Sequence, residues 1–297
     1  MVSGVEIRPV RHPEDLEALE SLFAACRLAD GHDPLGEHKY LDLVSGGGES
    51  TLGLVGEEGR QAVAYAHLTR NERAEVWGLE VAVHPLWRHT EIIERVVSAA
   101  RDAAADEAPG EVHLWAYHPG IAETLRRLGF RQERELRQLR KTLPAGEEPA
   151  YPPGVAVRAF RVGGDEQAWL EVNNAAFAGH PENGSWDLET LRLRQRQDWF
   201  DPQGFLMAWQ GDELVGFCWT KLHPGSVGEI YVIAVAPSHQ GAGLGKALAL
   251  DGLRHLSEER AARSAMLYVD ASNQAARRLY EHLGFHLDHV DQCFVAR

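Results

Sequence analysis

The sequence predicts a two-domain protein of the α/β (α+β) class, in which each domain has a mixed, mostly antiparallel central sheet flanked by helices. Its 297 residues, 44% of them hydrophobic, are enough to form two cores. The order of motifs in the first half returns about 150 residues later. Solenoid repeats run to only roughly 20–50 residues, so this spacing indicates duplicated domains.

The two halves open with similar patterns of an alternating strand followed by a helix, "GVEIRPVRHPEDLEALESLF" and "GVAVRAFRVGGDEQAWLEVNNAAF". Further along, "VWGLEVAVHPLWR" matches "EIYVIAVAPSHQ", and "LRRLGFRQERELRQLRK" matches "LYEHLGFHLDHVDQCFVAR". Between the halves, "LPAGEEPAYPPG" carries four prolines and two glycines, a composition that cannot continue a strand or helix. We therefore expect an N-terminal domain over 1–143, a linker over 144–154 and a C-terminal domain over 155–297.

The elements of the second half can be predicted in order. Its first strand precedes two helical stretches, "DEQAWLEVNNAAF" and "SWDLETLRLRQRQDW". Strands "GFLMAWQ" and "ELVGFCWTKLH" follow, joined by a Gly-Asp turn that is typical of an antiparallel hairpin. Strand "EIYVIAVAP" leads through "QGAGLGKA" into a helix, and strand "SAMLYVDA", helix "NQAARRLYEHLG" and a strand from Phe285 complete the domain. This late strand–helix–strand order predicts parallel pairing.

Charge and composition exclude several classes of partner. The formal net charge of −14 argues against a nucleic-acid backbone or an anionic membrane surface as the main partner. The N-terminus has no apolar signal core, and no apolar run approaches the length needed to span a bilayer. We expect a cytoplasmic protein, a monomer, that binds any anionic ligand locally.

Cysteine and histidine spacing indicates neither a disulfide framework nor a metal site. The three cysteines lie far apart and include no CxxC pair. Three histidines near the C-terminus are divided between a helix end and the two faces of the following strand. We therefore expect reduced thiols and no metal. The residues considered are Cys26, Cys218, Cys293, His282, His286 and His289.

The glycine-rich stretch "QGAGLGKA" is the strongest functional signal. It lies between a strand and a helix, so its backbone N–H groups meet the positive end of a helix dipole, which suits a pyrophosphate. A Walker loop would need glycine at Gln240 and Ser or Thr at Ala247, and a dinucleotide fingerprint would need GxGxxG in place of GxGxG. Taken alone, the stretch could also be a flexible connector.

The internal repeat indicates that only the second half keeps this loop. Matching the prolines that close the two strands places Arg88 on Gln240, but Glu91 on Gly243 and Ile93 on Gly245. The same comparison places tryptophan and leucine in the first half where the second has a carboxylate and a phenol. These pairs are Trp77 with Glu229 and Leu125 with Tyr280. We expect one active site, in the C-terminal domain, and a non-catalytic N-terminal domain.

The loop and a second motif resemble the GNAT superfamily of N-acetyltransferases. Gln240, Gly243 and Gly245 occupy the places of its acyl-CoA loop, Q/RxxGxG/A, and "VDASNQAARRLYEHLGF" resembles its second signature. The resemblance covers the whole second half and implies acetyl-CoA as co-substrate. The residues expected to bind it are Ile233, Ala234, Val235, Gln240, Gly241, Ala242, Gly243, Leu244, Gly245, Lys246, Asn273, Gln274, Ala275, Ala276, Arg277 and Arg278.

Acetyl transfer to an amine needs a base for the amine, donors for the carbonyl oxygen and an acid for the departing thiolate. Glu229, on the strand before the loop, is the candidate base. Backbone N–H groups around Ile233 to Val235 are candidates to polarise the thioester carbonyl. Tyr280 is the candidate acid.

Within the superfamily, "HPENGSW" and "WTKLHP" resemble the mycothiol synthase (mycothiol acetyltransferase) family of tandem GNAT proteins. That resemblance implies N-acetylation of the cysteinyl amine of desacetylmycothiol, a cysteine joined to glucosaminyl-inositol. It implies substrate contacts from Glu37, Glu182, Lys221, Glu229 and Tyr268. Acetylation of another small amine, such as an aminoglycoside or a peptide N-terminus, and a non-catalytic acyl-CoA sensor remain the alternatives.

Overall fold

The chain forms two compact units in a computed structural model that describes residues 4–48, 50–71, 75–88, 90–178 and 186–296. Unit 1 consists of residues 1–136 together with 290–297, and unit 2 of residues 137–289. This division differs from the expected domain ranges in two segments. Residues 137–154, which include the predicted linker, belong to unit 2, and the end of the last strand belongs to unit 1.

Unit 1 contains a sheet with the strand order β1-β2-β3-β4-β5-β12, in which β12 is the last strand of the chain (His286–Val295) and β4 and β5 are the parallel pair. The last strand enters it through Gln292–Val295, which pair antiparallel with β5. Its elements are β1 (Val5–Pro9), α1 (Leu16–Asp30), α2 (Glu37–Val44), β2 (Thr51–Glu58), β3 (Gln61–Asn71), β4 (Val76–Val83), α3 (Thr90–Glu107), β5 (Glu111–Ala116), α4 (Pro119–Arg127) and the first half of β6 (Arg131–Thr142).

Unit 2 repeats this plan with the strand order β6-β11-β10-β9-β8-β7, and β10 and β11 are its parallel pair. Its elements, after the second half of β6, are β7 (Val155–Ala159), α5 (Glu166–Ala176), α6 (Leu188–Gln195), β8 (Phe205–Gln210), β9 (Glu213–His223), β10 (Val227–Val235), α7 (Leu244–Glu258), β11 (Ser264–Asp270), α8 (Gln274–His282) and the start of β12 (His286–Val295). The predicted mixed α/β fold and its tandem layout are confirmed.

The second predicted helix of unit 2 is shorter than the sequence pattern suggested. The α6 helix ends at Gln195, and the chain continues in tight turns. In these turns the N–H of Gln197 donates to Arg194 O at 3.1 Å, and the N–H of Phe200 donates to Gln197 O at 2.9 Å. These hydrogen bonds join residues three positions apart, whereas an α-helix joins residues four positions apart. The tighter turns therefore end α6 at Gln195.

Two apolar clusters sandwich the sheet of unit 2. On one face, leucines of α7 pack on Cys218 and Ile230. On the other face, α5 contributes Trp169 to an aromatic cluster in which the rings of Phe205 and Trp219 stack at 4.3 Å. Polar residues on β9 and β10 are therefore held on a rigid scaffold.

Three negative observations apply to the described residues only. No helix among them is both long and apolar enough to cross a bilayer. No group of three His, Cys, Asp or Glu side chains in this part of the chain is arranged to hold a metal ion. The three cysteines are buried and unbridged.

Phe294, near the end of the chain, is part of the core of unit 1. Its side chain is fully buried in the same cluster as Leu79 and Leu114. The guanidinium of Arg126 lies 5.2 Å from the centre of the Phe294 ring. Unit 1 thus depends on a residue that lies beyond the whole sequence of unit 2.

We predict that Phe294→Ala destabilises unit 1, because truncating a buried phenylalanine typically costs about 3–5 kcal/mol. Amide hydrogen exchange should show faster exchange in β5, with smaller changes in β10. Leu287→Ala is the matched control, since Leu287 lies on the same strand but is 53% exposed. Equal exchange in β5 for both variants would contradict the prediction.

Candidate active site

The sheet of unit 2 opens between its two parallel strands. Pairing of β10 with β11 runs only from Val227 to Glu229, opposite Ser264 to Met266, although both strands continue. On its other edge, β10 stays paired with β9 up to Val235, with one register shift between Ile230 and Val232. The opening therefore begins directly after Glu229.

The register shift is a β-bulge at Tyr231 that changes which side chains share a face. Tyr231 and Val232 follow one another, yet both pack with the α5 aromatic cluster. Ile233 and Val235 then pack with the α7 cluster. An extra residue in one strand has this effect because side chains alternate with a period of two.

Two backbone N–H groups of β10 point towards the opening. The N–H of Ala236 donates to Val215 O at 2.9 Å, so by alternation the N–H of Ala234 also faces β9. The N–H groups of Ile233 and Val235 then face the opposite edge, towards β11. Gln240 agrees with this assignment, because its Nε2 donates to Val235 O at 3.2 Å. Of the three predicted donors, Ala234 is already used in the ladder.

The glycine loop has the backbone geometry of an anion site. Gly241 and Gly243 have φ of +84° and +83°, a region that L side chains rarely adopt. Helix α7 starts directly after Gly243, and its first internal bond is Ala247 N–H to Gly243 O at 3.1 Å. Within the described residues no side chain caps this helix, so its first N–H groups can face a ligand.

The lysine at the end of the loop has a surface partner. Lys246 Nζ lies 2.6 Å from Glu147 Oε1, and both side chains are partly exposed. Hydrogen bonding to Lys246 lowers the pKa of Glu147. An exposed pair of this kind contributes little stability, so a phosphate could replace the carboxylate at small cost.

Glu229 lies at the closed end of the opening and is 6% exposed. Its Oε2 lies 2.6 Å from Nε2 of His223. Its cross-strand partner is Lys221, whose ammonium lies 4.6 Å from the ring centre of Trp199 and 5.4 Å from that of Tyr231. A buried carboxylate with a nitrogen donor beside it can serve as a base.

Tyr280 approaches from the α7 side of the sheet. Its ring is 6% exposed and packs edge-on against Phe285 at 5.8 Å. Burial raises the pKa of its hydroxyl well above the usual value, so the phenol keeps its proton at physiological pH. At the start of the same helix, the side-chain oxygen of Asn273 accepts from Ala276 N–H at 3.1 Å and caps α8.

The predicted substrate-binding residues lie in different places. Tyr268 is 41% exposed on β11, and its hydroxyl accepts from Gln138 Nε2 at 2.7 Å. By alternation from Met266, it is on the same face as Glu229. Glu37 begins α2 in unit 1. Glu182 lies outside the described residues.

Comparison with known proteins gives the relationship directly. A model of the acetyltransferase (GNAT) family matches residues 167–285. Mycothiol acetyltransferases from Acidimicrobium ferrooxidans and Thermobispora bispora are 42% and 41% identical to this chain. The first match covers 95% of this chain and 94% of the relative, and the second covers 96% of each.

The chain belongs to the mycothiol acetyltransferase family. The relationship predicted from the sequence is confirmed. A third relative gives the same result. The mycothiol acetyltransferase of Thermomonospora curvata is 43% identical, and the match covers 92% of this chain and 90% of the relative.

Solved structures support the tandem fold of this family member. A tandem GNAT protein from the clavulanic acid biosynthesis pathway superposes with a TM-score of 0.76 at 17% identity, covering 98% of each chain. A GCN5-related N-acetyltransferase from Sphaerobacter thermophilus gives a TM-score of 0.72 at 24% identity, covering 98% of this chain and 95% of its own. At such identities the likeness concerns the fold alone.

The corresponding strands of unit 1 stay closed for longer. Parallel pairing of β4 with β5 continues to Glu80, opposite Trp115, and β3 pairs with β4 without a register shift. Thr69 on β3 is the counterpart of Lys221, and its cross-strand partner is Gly78. Because unit 1 lacks the bulge, Gly78 is therefore the structural counterpart of Glu229. The gap-free sequence comparison had matched Glu229 with Trp77, one residue earlier. Neither residue carries a carboxylate.

In unit 1, side chains of the unit itself contact the positions that correspond to those of the candidate site. Lys39 donates from Nζ to Gly78 O at 2.8 Å and to the hydroxyl of Thr69. Arg88, the counterpart of Gln240, donates from Nε to Val83 O at 2.8 Å and forms a two-pronged ion pair with Asp30. Burial works against the charge of Asp30, yet Arg88 keeps the pKa of that carboxyl below its usual value.

His223 is the residue at this site that the sequence reasoning missed. The signal was present in "KLHPGSVGE", where a tight turn separates a histidine and a glutamate on two strands. Their pairing depends on the hairpin register, which turn geometry sets and which composition does not reveal.

We predict that the chain binds acetyl-CoA at one site, in unit 2. Gly243→Ala should weaken this binding, because the left-handed backbone conformation is about 1–2 kcal/mol less favourable for a residue with a side chain. Calorimetric titration measures both stoichiometry and affinity. Gly163→Ala is the control, since Gly163 has φ of +84°, equally open surroundings and a place in the turn before α5. Two sites of similar affinity would show that unit 1 also binds.

Proposed function

We propose that this protein transfers an acetyl group from acetyl-CoA to the cysteinyl amine of desacetylmycothiol and so forms mycothiol and CoA, the last step of mycothiol biosynthesis. Membership of the family over nearly the whole chain supports this substrate. The observation that carries the chemistry is the opening after Glu229, with a buried carboxylate at one end and the glycine loop at the other.

The residues at the opening fit acetyl-CoA, which supplies the acetyl group as an activated thioester. The first N–H groups of α7, after Gly241 and Gly243, would hold the pyrophosphate. The N–H groups of Ile233 and Val235 would hold the pantetheine arm or donate to the thioester carbonyl, where negative charge develops. The remaining predicted contacts, Gln240, Ala242, Leu244, Gly245, Lys246 and 273–278, belong to the same proposal.

Glu229 would act as the general base for the amine. An α-ammonium has an ordinary pKa of about 7.7–8.0, so removing its proton near neutral pH costs only about 1 kcal/mol. The carboxylate is buried and held by a hydrogen bond, which restricts its orientation towards the amine.

Tyr280 would protonate the departing thiolate. It belongs to the α7 side of the sheet, whereas Glu229 and Lys221 share the α5 side, so acid and base would approach the reacting atoms from opposite faces. Because burial raises the pKa of Tyr280, the phenol is protonated before the thiolate departs and can donate that proton.

The polyhydroxylated part of the substrate would meet Lys221 and Tyr268, which lie on the same face as Glu229. Glu37 of unit 1 and Glu182 complete the proposed set. We further propose that unit 1 is non-catalytic, and that the protein acts as a cytoplasmic monomer.

Incubation with acetyl-CoA and desacetylmycothiol, followed by mass spectrometry, tests the proposal. We expect a product that carries one acetyl group on nitrogen and keeps a free thiol. Glucosaminyl-inositol without cysteine, an aminoglycoside and a short peptide serve as competing amines. Preferential acetylation of any of them would replace the proposed substrate.

We predict that Glu229→Gln lowers kcat about 10²–10⁴-fold at neutral pH, the usual contribution of a general base. Acetyl-CoA affinity should not change, because the loop is untouched. Glu213→Gln, an exposed glutamate at the start of β9, is the control. Activity near that of the unaltered protein would assign the base to another group.

We predict that Tyr280→Phe lowers kcat by roughly tenfold, because a thiol of ordinary pKa about 8.5 can depart partly unaided. Because burial raises the pKa of Tyr280 above the ordinary value for tyrosine, the phenol stays protonated between about pH 6 and 9. The fold reduction in kcat should therefore be constant over that range. Quenched assays across that pH range measure the change in kcat and its pH dependence, and thermal unfolding measures stability. Full activity with lowered stability would make the residue structural.

A further inference from the structure

The carboxylate of Glu229 has a specific partner in His223. The two side chains meet at 2.6 Å between Oε2 and Nε2. The glutamate side chain is 8% exposed, and the imidazole is 26% exposed. An ionised carboxylate accepts hydrogen bonds and donates none, so Nε2–H of His223 is the donor in this contact whenever Glu229 is ionised.

The hairpin between β9 and β10 fixes this pair. Lys221 is the direct partner of Glu229, and His223 is the partner of Val227, so His223 is the diagonal neighbour of the glutamate on the same face. The turn between the strands is short, and its Ser226 O accepts from Arg263 N–H at 2.8 Å. The contact therefore joins two residues on a braced hairpin.

We propose that His223 is a positioning residue for Glu229, which it serves by donating Nε2–H to Oε2 and so directing Oε1 at the amine. This inference rests on the proposed function of Glu229 as base. With one oxygen fixed, rotation of the carboxylate about its own bond is blocked, and the second oxygen stays where it can take the proton of the substrate ammonium. Displacement of a reacting group by about 1 Å can cost 10²-fold in rate.

The internal repeat is consistent with a pair that acts together. Asn71 ends β3 where His223 ends β9, and unit 1 has Trp77 and Gly78 around the place of Glu229. At these corresponding positions unit 1 therefore has neither a carboxylate nor an imidazole.

Two amide variants of His223 form a matched test. Glutamine places its amide nitrogen about where Nε2 lies, whereas asparagine reaches only about as far as Nδ1. We expect His223→Asn to lower kcat roughly 10–100-fold with little change in the KM for acetyl-CoA. His223→Gln should recover most of that loss. Equal kcat for the two variants would overturn the proposal.

A double-mutant cycle with Glu229→Gln separates positioning from a merely structural role. If His223 acts only through the carboxylate, His223→Asn should not lower the kcat of Glu229→Gln any further. The same factor in both backgrounds would overturn the proposal. The cycle compares rates on whichever amine the unaltered protein acetylates. Failure with desacetylmycothiol alone would therefore refute the proposed substrate and leave this test intact.

Discussion

The early end of the ladder between β10 and β11 is the constraint on which the candidate site depends. Parallel strands normally satisfy each other's backbone groups, and here they stop doing so after Glu229. The N–H groups of Ile233 and Val235 are left facing an opening, where a thioester or amide chain could pair with them. The bulge at Tyr231 lets β10 leave β11 without leaving β9.

Much of the fold and part of the site were predictable from local pattern. Alternating apolar residues gave β8, β9 and β11 within a residue or two, and the glycines of the loop indicated an anion site because few other residues adopt positive φ. Three features were not predictable. The bulge, the directions of the N–H groups and the His223–Glu229 contact all depend on strand register, which is a property of two segments together.

Unit 1 uses the corresponding part of the same fold for contacts among its own residues. Its buried lysine, Lys39, needs partners to offset the loss of water, and it takes them from Thr69 and the carbonyl of Gly78. Glu80, also buried, accepts from the N–H of Gly36 at 2.7 Å. These contacts bind α2 to the strands. In unit 1 these polar groups are used to hold the unit together.

The position of Phe294 in the core of unit 1 also bears on folding during synthesis. A ribosome delivers residues 4–136 first, but the strand that fills their core arrives only after all of unit 2 has been translated. Unit 2 is continuous in the chain, but it too is complete only eight residues before the end, at residue 289 of 297. Until Phe294 arrives, the residues of β5 and α4 that share its cluster lack one packing partner, and transiently exposed apolar surface of this kind favours aggregation.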